Sequence, residues 1–157
     1  MKINILKSFN GDCIHISFPN GNKNKNILID GGMSNTYVTL KSKKGKAESG
    51  ALKTLIESLT EKQEKIDLLI LTHVDDDHIG GILRWFEKDH NALDMIGQVW
   101  FNSGRLIKET FERDNESEYD NSIEFKIEDS NETSIAQGVK FEDFLESQNG
   151  LWRRVLI

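Results

Sequence analysis

Two histidines and three aspartates are concentrated in the six residues from His73 to His78, directly after an apolar run. Neutral imidazole nitrogens and ionised carboxylates are both ligands for divalent cations. His73, Asp75 and Asp77 follow a two-residue stride, which on an extended loop would bring their side chains to one side. His78 adds a second imidazole. Four ligands this close together suit a pair of metal ions that activates water and holds a phosphoryl group, so the sequence predicts a metal site here.

A strand and a helix are expected on either side of these ligands. Leu68–Leu71 is a continuous apolar run, too short for a globular helix, and it predicts a central strand covered on both faces. After the ligands, Gly80 and Gly81 would let backbone pack closely beneath the site. Apolar residues then recur at helical spacing. These helical positions are Ile79, Ile82, Leu83 and Phe86.

Two other interpretations of the acidic residues need to be considered. Asp75, Asp76 and Asp77 could form the acidic first turn of a helix, favoured by the helix dipole, with two incidental histidines beside them. An EF-hand calcium loop beginning at Asp75 is a weaker match. It would run into the apolar helical pattern after Gly80, and no glutamate closes it.

The segment from Thr72 to Gly81 resembles the signature of metallo-β-lactamase-fold hydrolases, Thr-His-x-His-x-Asp-His-x-Gly-Gly. Asp75 stands where the second histidine of that signature usually stands. This departure is similar to the variant in the hydrolase domain of DNA-uptake competence proteins and their soluble bacterial relatives. Residues 11–14, Gly-Asp-Cys-Ile, and residues 27–32, Ile-Leu-Ile-Asp-Gly-Gly, resemble the opening hairpin of the family and the turn that follows it.

The resemblance implies an α+β fold, an α/β-β/α sandwich in which a mixed or antiparallel sheet carries flanking helices. It also implies that the second half of the sandwich supplies further metal ligands. This chain has 157 residues, about the size of one half, and no histidine follows His90. We therefore expect one incomplete domain over residues 1–157, the N-terminal half of the fold. Residues 112–132 are expected to form a polar, acidic insertion with one short strand.

For the chemistry, the resemblance implies a hydrolase that uses two divalent ions and a bridging hydroxide on a phosphodiester or other anionic ester. His73 and Asp75 would hold one ion, and Asp77 and His78 the other. Asp77 would also orient or deprotonate the attacking water. Asp75 provides a carboxylate oxygen in place of an imidazole nitrogen, which makes the set of ligand atoms harder. A harder set favours manganese relative to zinc.

Asp30 and Thr72 are the candidates for holding a ligating imidazole in place. An ordinary Asp-Gly turn is an equally good interpretation of Asp30. The isolated chain is expected to be nearly inactive. Two rival hypotheses are a non-catalytic binding module that kept the fold and a purely structural chain fragment.

Composition restricts the partners and the location of the protein. The net charge of -6 argues against a protein that follows long stretches of nucleic acid. It leaves open a phosphodiester substrate, nucleic acid included, which bound cations would attract at one point. A basic segment, residues 41–46, could gather such a substrate or could be a solvated loop. The single cysteine, Cys13, excludes an internal disulfide and favours a cytoplasmic location. No stretch approaches a membrane span.

Alternation in residues 13–18 predicts a strand whose core face carries Ile14, Ile16 and Phe18. His15 would then lie on the polar face of an edge strand, exposed to solvent or hydrogen-bonded. Half a sandwich would leave an apolar sheet face uncovered. We therefore expect self-association, or binding of the missing half, to cover that face.

Overall fold

A mixed five-stranded sheet with helices packed on it forms the centre of the protein. The computed structural model describes residues 1–39, 48–103, 132–147 and 151–152. This architecture confirms the predicted α+β class. The strands of the sheet are β1 (Lys2–Ile5), β2 (Ile14–Asn20), β3 (Lys23–Ile29), β6 (Leu68–Leu71) and β7 (Val99–Phe101), in that spatial order. The short strands β4 (Val38–Thr39) and β5 (Glu48–Ser49) pair with each other separately.

The pairing of the strands determines which loops lie together. β1, β2 and β3 are antiparallel neighbours, whereas β6 runs parallel to both β3 and β7. Parallel strands end at the same edge of a sheet. Asp30 after β3, Thr72 after β6 and Asn102 after β7 therefore leave the sheet at one edge, where the predicted metal loop begins.

Three α-helices are described, and their apolar stripes pack on the sheet. They are α1 (Ala51–Glu61), α2 (Asp76–Lys88) and α3 (Glu132–Glu146). Leu52, Leu55, Ile56 and Leu59 recur at helical spacing and predict a helix over residues 50–62. This helix and the one predicted after Gly80 are both confirmed. The spacing of Phe141, Phe144 and Leu145 likewise predicts a helical stripe, and these residues lie on α3 and pack in the core. None of the helices in the described part of the chain has the length and apolar character that a membrane crossing requires.

One face of the sheet is the core, and it is not the face predicted for β2. His15, Leu28, Leu69 and Val99 are in register across four strands, so their side chains share a face, and all four are buried. The prediction that Ile14, Ile16 and Phe18 face the core is therefore wrong. β2 is also not an edge strand, because β1 pairs with its outer side.

His15 is buried and hydrogen-bonded on both ring nitrogens. Its Nδ1 lies 3.1 Å from Asn4 Nδ2, and its Nε2 lies 3.0 Å from Asn26 Oδ1. An amide nitrogen only donates, so Asn4 donates to Nδ1 and the Nε2–H donates to Asn26. The hydrogen-bonded alternative is correct and the solvent-exposed one is wrong, because β1 and the segment after α1 cover this position.

The opposite face of the sheet is apolar and only partly covered. Two register rows cross it, and a further aromatic residue lies at the hairpin end. Ile3 is 56% exposed, Ile5 81% and Phe18 37%, whereas the other members are half-buried. The rows are Ile3, Ile16, Ile27 and Leu68, and then Ile5, Ile14, Ile29, Ile70 and Trp100; the aromatic residue is Phe18. The strand Leu68–Leu71 is therefore interior, as predicted, but fully buried on one face only.

Two sequence predictions fall largely on parts of the chain outside the described residues. They are the basic segment of residues 41–46 and the acidic insertion with its short strand, of which only residue 132 is described, as the start of α3.

Cys13, the residue before β2, is fully buried. Burial raises the pKa of its thiol from 9.0 to about 12, and the negative charge of Asp30 adds to the effect. At pH 8 we expect the folded protein to resist a thiol-specific disulfide reagent and the urea-unfolded chain to react fully. An unfolded thiol ionises above pH 9, so the fold should lose stability from about pH 9 to about pH 12.

The matched control is Cys13→Ala, which has no thiol to ionise. Its free energy of unfolding should lack this part of the decline with pH. A native protein whose cysteine reacts at pH 8 as fast as the unfolded chain would contradict the burial argument.

Candidate metal centre

The predicted ligands lie where β6 gives way to α2. β6 ends at Leu71, and α2 begins at Asp76 with Asp75 at its N-cap. Residues 73–78 are therefore not all loop. The acidic first helical turn exists, because Asp76 and Asp77 occupy it and the helix dipole favours them there. The extended backbone that would place alternate side chains on one side ends at Asp75. The positions of the Asp77 and His78 side chains are therefore set by helical geometry.

Asp30 is a buried acceptor at the base of this segment. It is 1% exposed and adopts a left-handed backbone conformation with φ 55°. Its Oδ1 accepts the backbone N–H of Thr72 at 2.8 Å, and its Oδ2 accepts the Thr72 hydroxyl at 2.6 Å. The carboxylate therefore ties the end of β3 to the first residue after β6, and its conformation is not that of a merely exposed Asp-Gly turn.

Asp30 and Thr72 together orient both histidines. His78 Nδ1 lies 2.9 Å from Asp30 Oδ2, and a carboxylate only accepts, so the Nδ1–H donates. Thr72 gives its own proton to Asp30. Its oxygen, 3.0 Å from His73 Nδ1, therefore accepts from that imidazole. With both Nδ1 atoms protonated, each Nε2 carries a lone pair available for a metal.

The two imidazole rings lie close together, and the His78 ring lies near a carboxylate. The rings of His73 and His78 have centroids 4.9 Å apart. His78 Nε2 lies 3.9 Å from Asp77 Oδ1. Metal–ligand bonds of about 2.0–2.2 Å allow two ligands of one ion to be up to roughly 4.2 Å apart. His78 and Asp77 therefore fit a shared ion as they stand.

The structure does not gather all four predicted ligands. Asp75 is exposed and makes no side-chain cap hydrogen bond. Among the described residues, no group of three or more His, Cys, Asp or Glu side chains is arranged to hold a metal ion. The donor types and the pair Asp77–His78 fit a divalent cation, but these residues do not form a complete coordination shell.

The charges around His78 favour a cation. Burial alone lowers the pKa of this imidazole, but the hydrogen bond and charge of Asp30, with the charges of Asp77 and Asp12, raise it overall. A region that stabilises an imidazolium also stabilises a bound metal ion. Asp12 is a residue that sequence analysis assigned no role, although it lies in the Gly-Asp-Cys-Ile segment of residues 11–14.

Glycines allow the backbone segments of the site to touch. A Cβ added at Gly81 would overlap the carbonyl of Gly31, and one added at Gly11 would overlap the backbone of Asp77. Gly31 N–H donates to His78 O at 2.7 Å, and Gly81 N–H donates to Gly32 O at 2.7 Å. The role predicted for Gly81, close backbone packing beneath the site, is confirmed in this geometry.

A buried polar pair near the loop was missed from the sequence. Ser103, just after β7, donates its hydroxyl to Glu142 of α3 at 2.6 Å, and both residues are buried. One turn earlier on α3, a Cβ at Gly138 would meet Val74 Cγ1 at 2.7 Å. α3 therefore packs directly on the metal loop. No sequence signal pairs residues 39 positions apart.

The sequence model of the metallo-beta-lactamase superfamily matches residues 11–149, which is most of the chain, and the chain therefore belongs to this superfamily. Neither a curated protein nor a solved structure gives a match. Superfamily membership confirms the predicted fold and suggests a metal-dependent hydrolase in general, since members typically bind divalent metals, often zinc.

Proposed function

We propose that this chain carries a hydrolytic site that uses two divalent ions, zinc or manganese, on a phosphodiester or other anionic ester. The observation that carries the proposal is the Asp30–Thr72 network. Its oxygens accept from Nδ1–H of both His73 and His78, which leaves both Nε2 atoms for a metal. Holding two imidazoles in one tautomer is what outer hydrogen-bond partners do in metal sites. Incidental histidines at a helix start would not need a buried carboxylate beneath them.

The four predicted ligands would have the roles that the resemblance implies. His73 and Asp75 would hold one ion, and Asp77 and His78 the other. Bound divalent ions polarise water and offset the negative charge of an anionic ester. Asp77 would orient the attacking water or take its proton, since its carboxylate lies at the exposed end of the Asp77–His78 pair. Asp30 and Thr72 would keep the imidazoles in position.

Two further parts of the proposal concern the branch of the superfamily to which the chain is related and the location of the protein in the cell. Asp75 in the second position of the signature supports a relationship to the hydrolase domain of DNA-uptake competence proteins, and it favours manganese relative to zinc. A nucleic acid phosphodiester is then one candidate substrate. A cytoplasmic location is likewise a proposal, supported by a single buried cysteine that forms no disulfide.

A non-catalytic binding module is the second candidate function. It is favoured by the lack, among the residues that the structure describes, of a group of three or more metal-ligating side chains. Hydrolysis of bis(4-nitrophenyl) phosphate with added manganese separates the two functions, provided that it is followed at high protein concentration against a metal-only blank, because the isolated chain is expected to be nearly inactive. Turnover that a chelator abolishes supports the hydrolase, whereas metal binding without turnover supports the module.

The direct test is metal binding by the double variant His73→Ala, Asp75→Ala. We expect the native chain to bind manganese or zinc weakly and the variant to lose detectable binding, because too few ligands remain to hold an ion. Isothermal titration calorimetry measures both. The matched control is His90→Ala, Asp94→Ala, which removes one exposed histidine and one exposed aspartate elsewhere. Unchanged affinity in the His73, Asp75 variant would show that this segment is not the site.

A further inference from the structure

The loop between β1 and β2, residues 6–13, is fixed against the candidate metal centre at two points. Thr36 Oγ1 donates to Ser8 O at 3.3 Å, and a Cβ added at Gly32 would meet Ser8 Cβ at 2.7 Å. Further along, Gly11 packs directly on the backbone of Asp77. Ser8 Oγ donates to Gly11 O at 2.7 Å and joins the two points. The loop is therefore a closed, supported structure at the edge of the site.

Between these two points the loop presents an aromatic ring to solvent. Phe9 is 52% exposed, and its backbone lies in the left-handed region with φ 67°. That conformation favours glycine and is uncommon for a bulky residue. An exposed ring contributes little to the core, and the backbone conformation opposes folding. Stability therefore explains neither the exposure of the Phe9 ring nor its left-handed backbone. Residues with such strained backbone conformations are concentrated at binding sites.

Phe9 belongs to the loop that packs on the site, and a cation lies over its ring. Phe9 is two residues from Gly11, so their Cα atoms are at most about 7.6 Å apart, and Gly11 touches Asp77. Asp12, the next residue, is close enough to affect His78 electrostatically. Lys7 Nζ lies 5.1 Å from the centroid of the Phe9 ring. The loop whose Gly11 packs on Asp77 thus also carries a partly exposed aromatic ring with a lysine ammonium over one of its faces.

We propose that Phe9 and Lys7 form a subsite for the nucleoside part of a phosphate ester. The base would stack on the face of Phe9 that Lys7 does not cover, as bases do on exposed aromatic residues. Lys7 would attract the phosphate toward the centre. This inference rests on the proposed function, which supplies the anionic ester, and it adds the chemical class of the group that the ester carries.

The test compares two probes that share a sugar phosphate and differ in the base, adenosine 5′-monophosphate and ribose 5-phosphate. Their dissociation constants are measured by calorimetry with manganese present. We expect the native chain to bind the nucleotide about five- to tenfold more tightly, the low end for stacking on one exposed ring. Phe9→Gly should abolish this preference and leave the fold at least as stable, since glycine suits a positive φ.

Two variants complete the test. Phe18→Ala removes another exposed phenylalanine, on the open sheet face, and should retain the preference. Lys7→Gln should weaken both probes by a similar factor. Equal affinity of the native chain for the two probes would overturn the subsite and leave the hydrolase proposal intact. Failure of both probes to bind would also overturn the subsite, whereas the metal titration of the His73, Asp75 variant tests the proposed function separately.

Discussion

Asp30→Ala is expected to weaken metal binding by about 10- to 100-fold, the range found when the outer partner of a ligating histidine is removed. The variant frees both imidazoles, because His78 donates to Asp30 directly and His73 is oriented through Thr72. It also leaves the backbone N–H of Thr72 without its acceptor. An unsatisfied buried donor costs about 1–3 kcal/mol, so the free energy of unfolding in urea should fall by that order as well.

Asp67→Ala is the matched control for this variant. Asp67 is a partly buried carboxylate that, like Asp30, accepts a backbone N–H, here from Asn26 at 2.9 Å, and it pairs with Lys25. It lies at the other end of β6, away from the metal loop. Its removal should lower stability without changing the affinity for manganese. Unchanged metal affinity in Asp30→Ala would show that Asp30 supports the fold alone and does not orient ligands.

The sequence predicted those features that depend on neighbouring residues. The apolar run Leu68–Leu71 is the interior strand, and the helical spacing after Gly80 is a helix, because both patterns have a period that one element imposes on its own side chains. The donor types between His73 and His78 also follow directly from the sequence. Their chemistry depends on residue type, which needs no structure.

Features that depend on distant residues were not predictable. Alternation in residues 13–18 separates two faces, but it does not tell which face the helices cover, so Ile14 and Ile16 were assigned to the wrong one. The position of Asp30 beneath Thr72 needs the parallel pairing of β3 with β6, across 42 residues. The contact of α3 with Val74 likewise depends on packing between distant segments.

The partly covered sheet face leads to the second large effect, which is self-association. Its two register rows present isoleucine, leucine and Trp100 beside the exposed Ile3, Ile5 and Phe18. Contiguous apolar patches beyond a few hundred Å² are uncommon on monomeric proteins. Two copies can bury the same face against each other, as sheets do in sandwiches. We propose this second copy as the partner, and light scattering at high concentration should give a mass at least twice 17.9 kDa.

Lysines on that face should prevent the association. Ile16 and Ile29 lie in different rows of the face, so the double variant Ile16→Lys, Ile29→Lys would bury two charges in each copy, four in the dimer, and should be monomeric. The control is Asn22→Lys, Asn91→Lys, which adds the same charge at two exposed positions and should associate like the native chain. Urea unfolding of each variant separates loss of association from loss of folding. A native chain that stays a monodisperse monomer at high concentration and unfolds cooperatively would contradict the proposal, because the face would then be tolerated in solution without a partner.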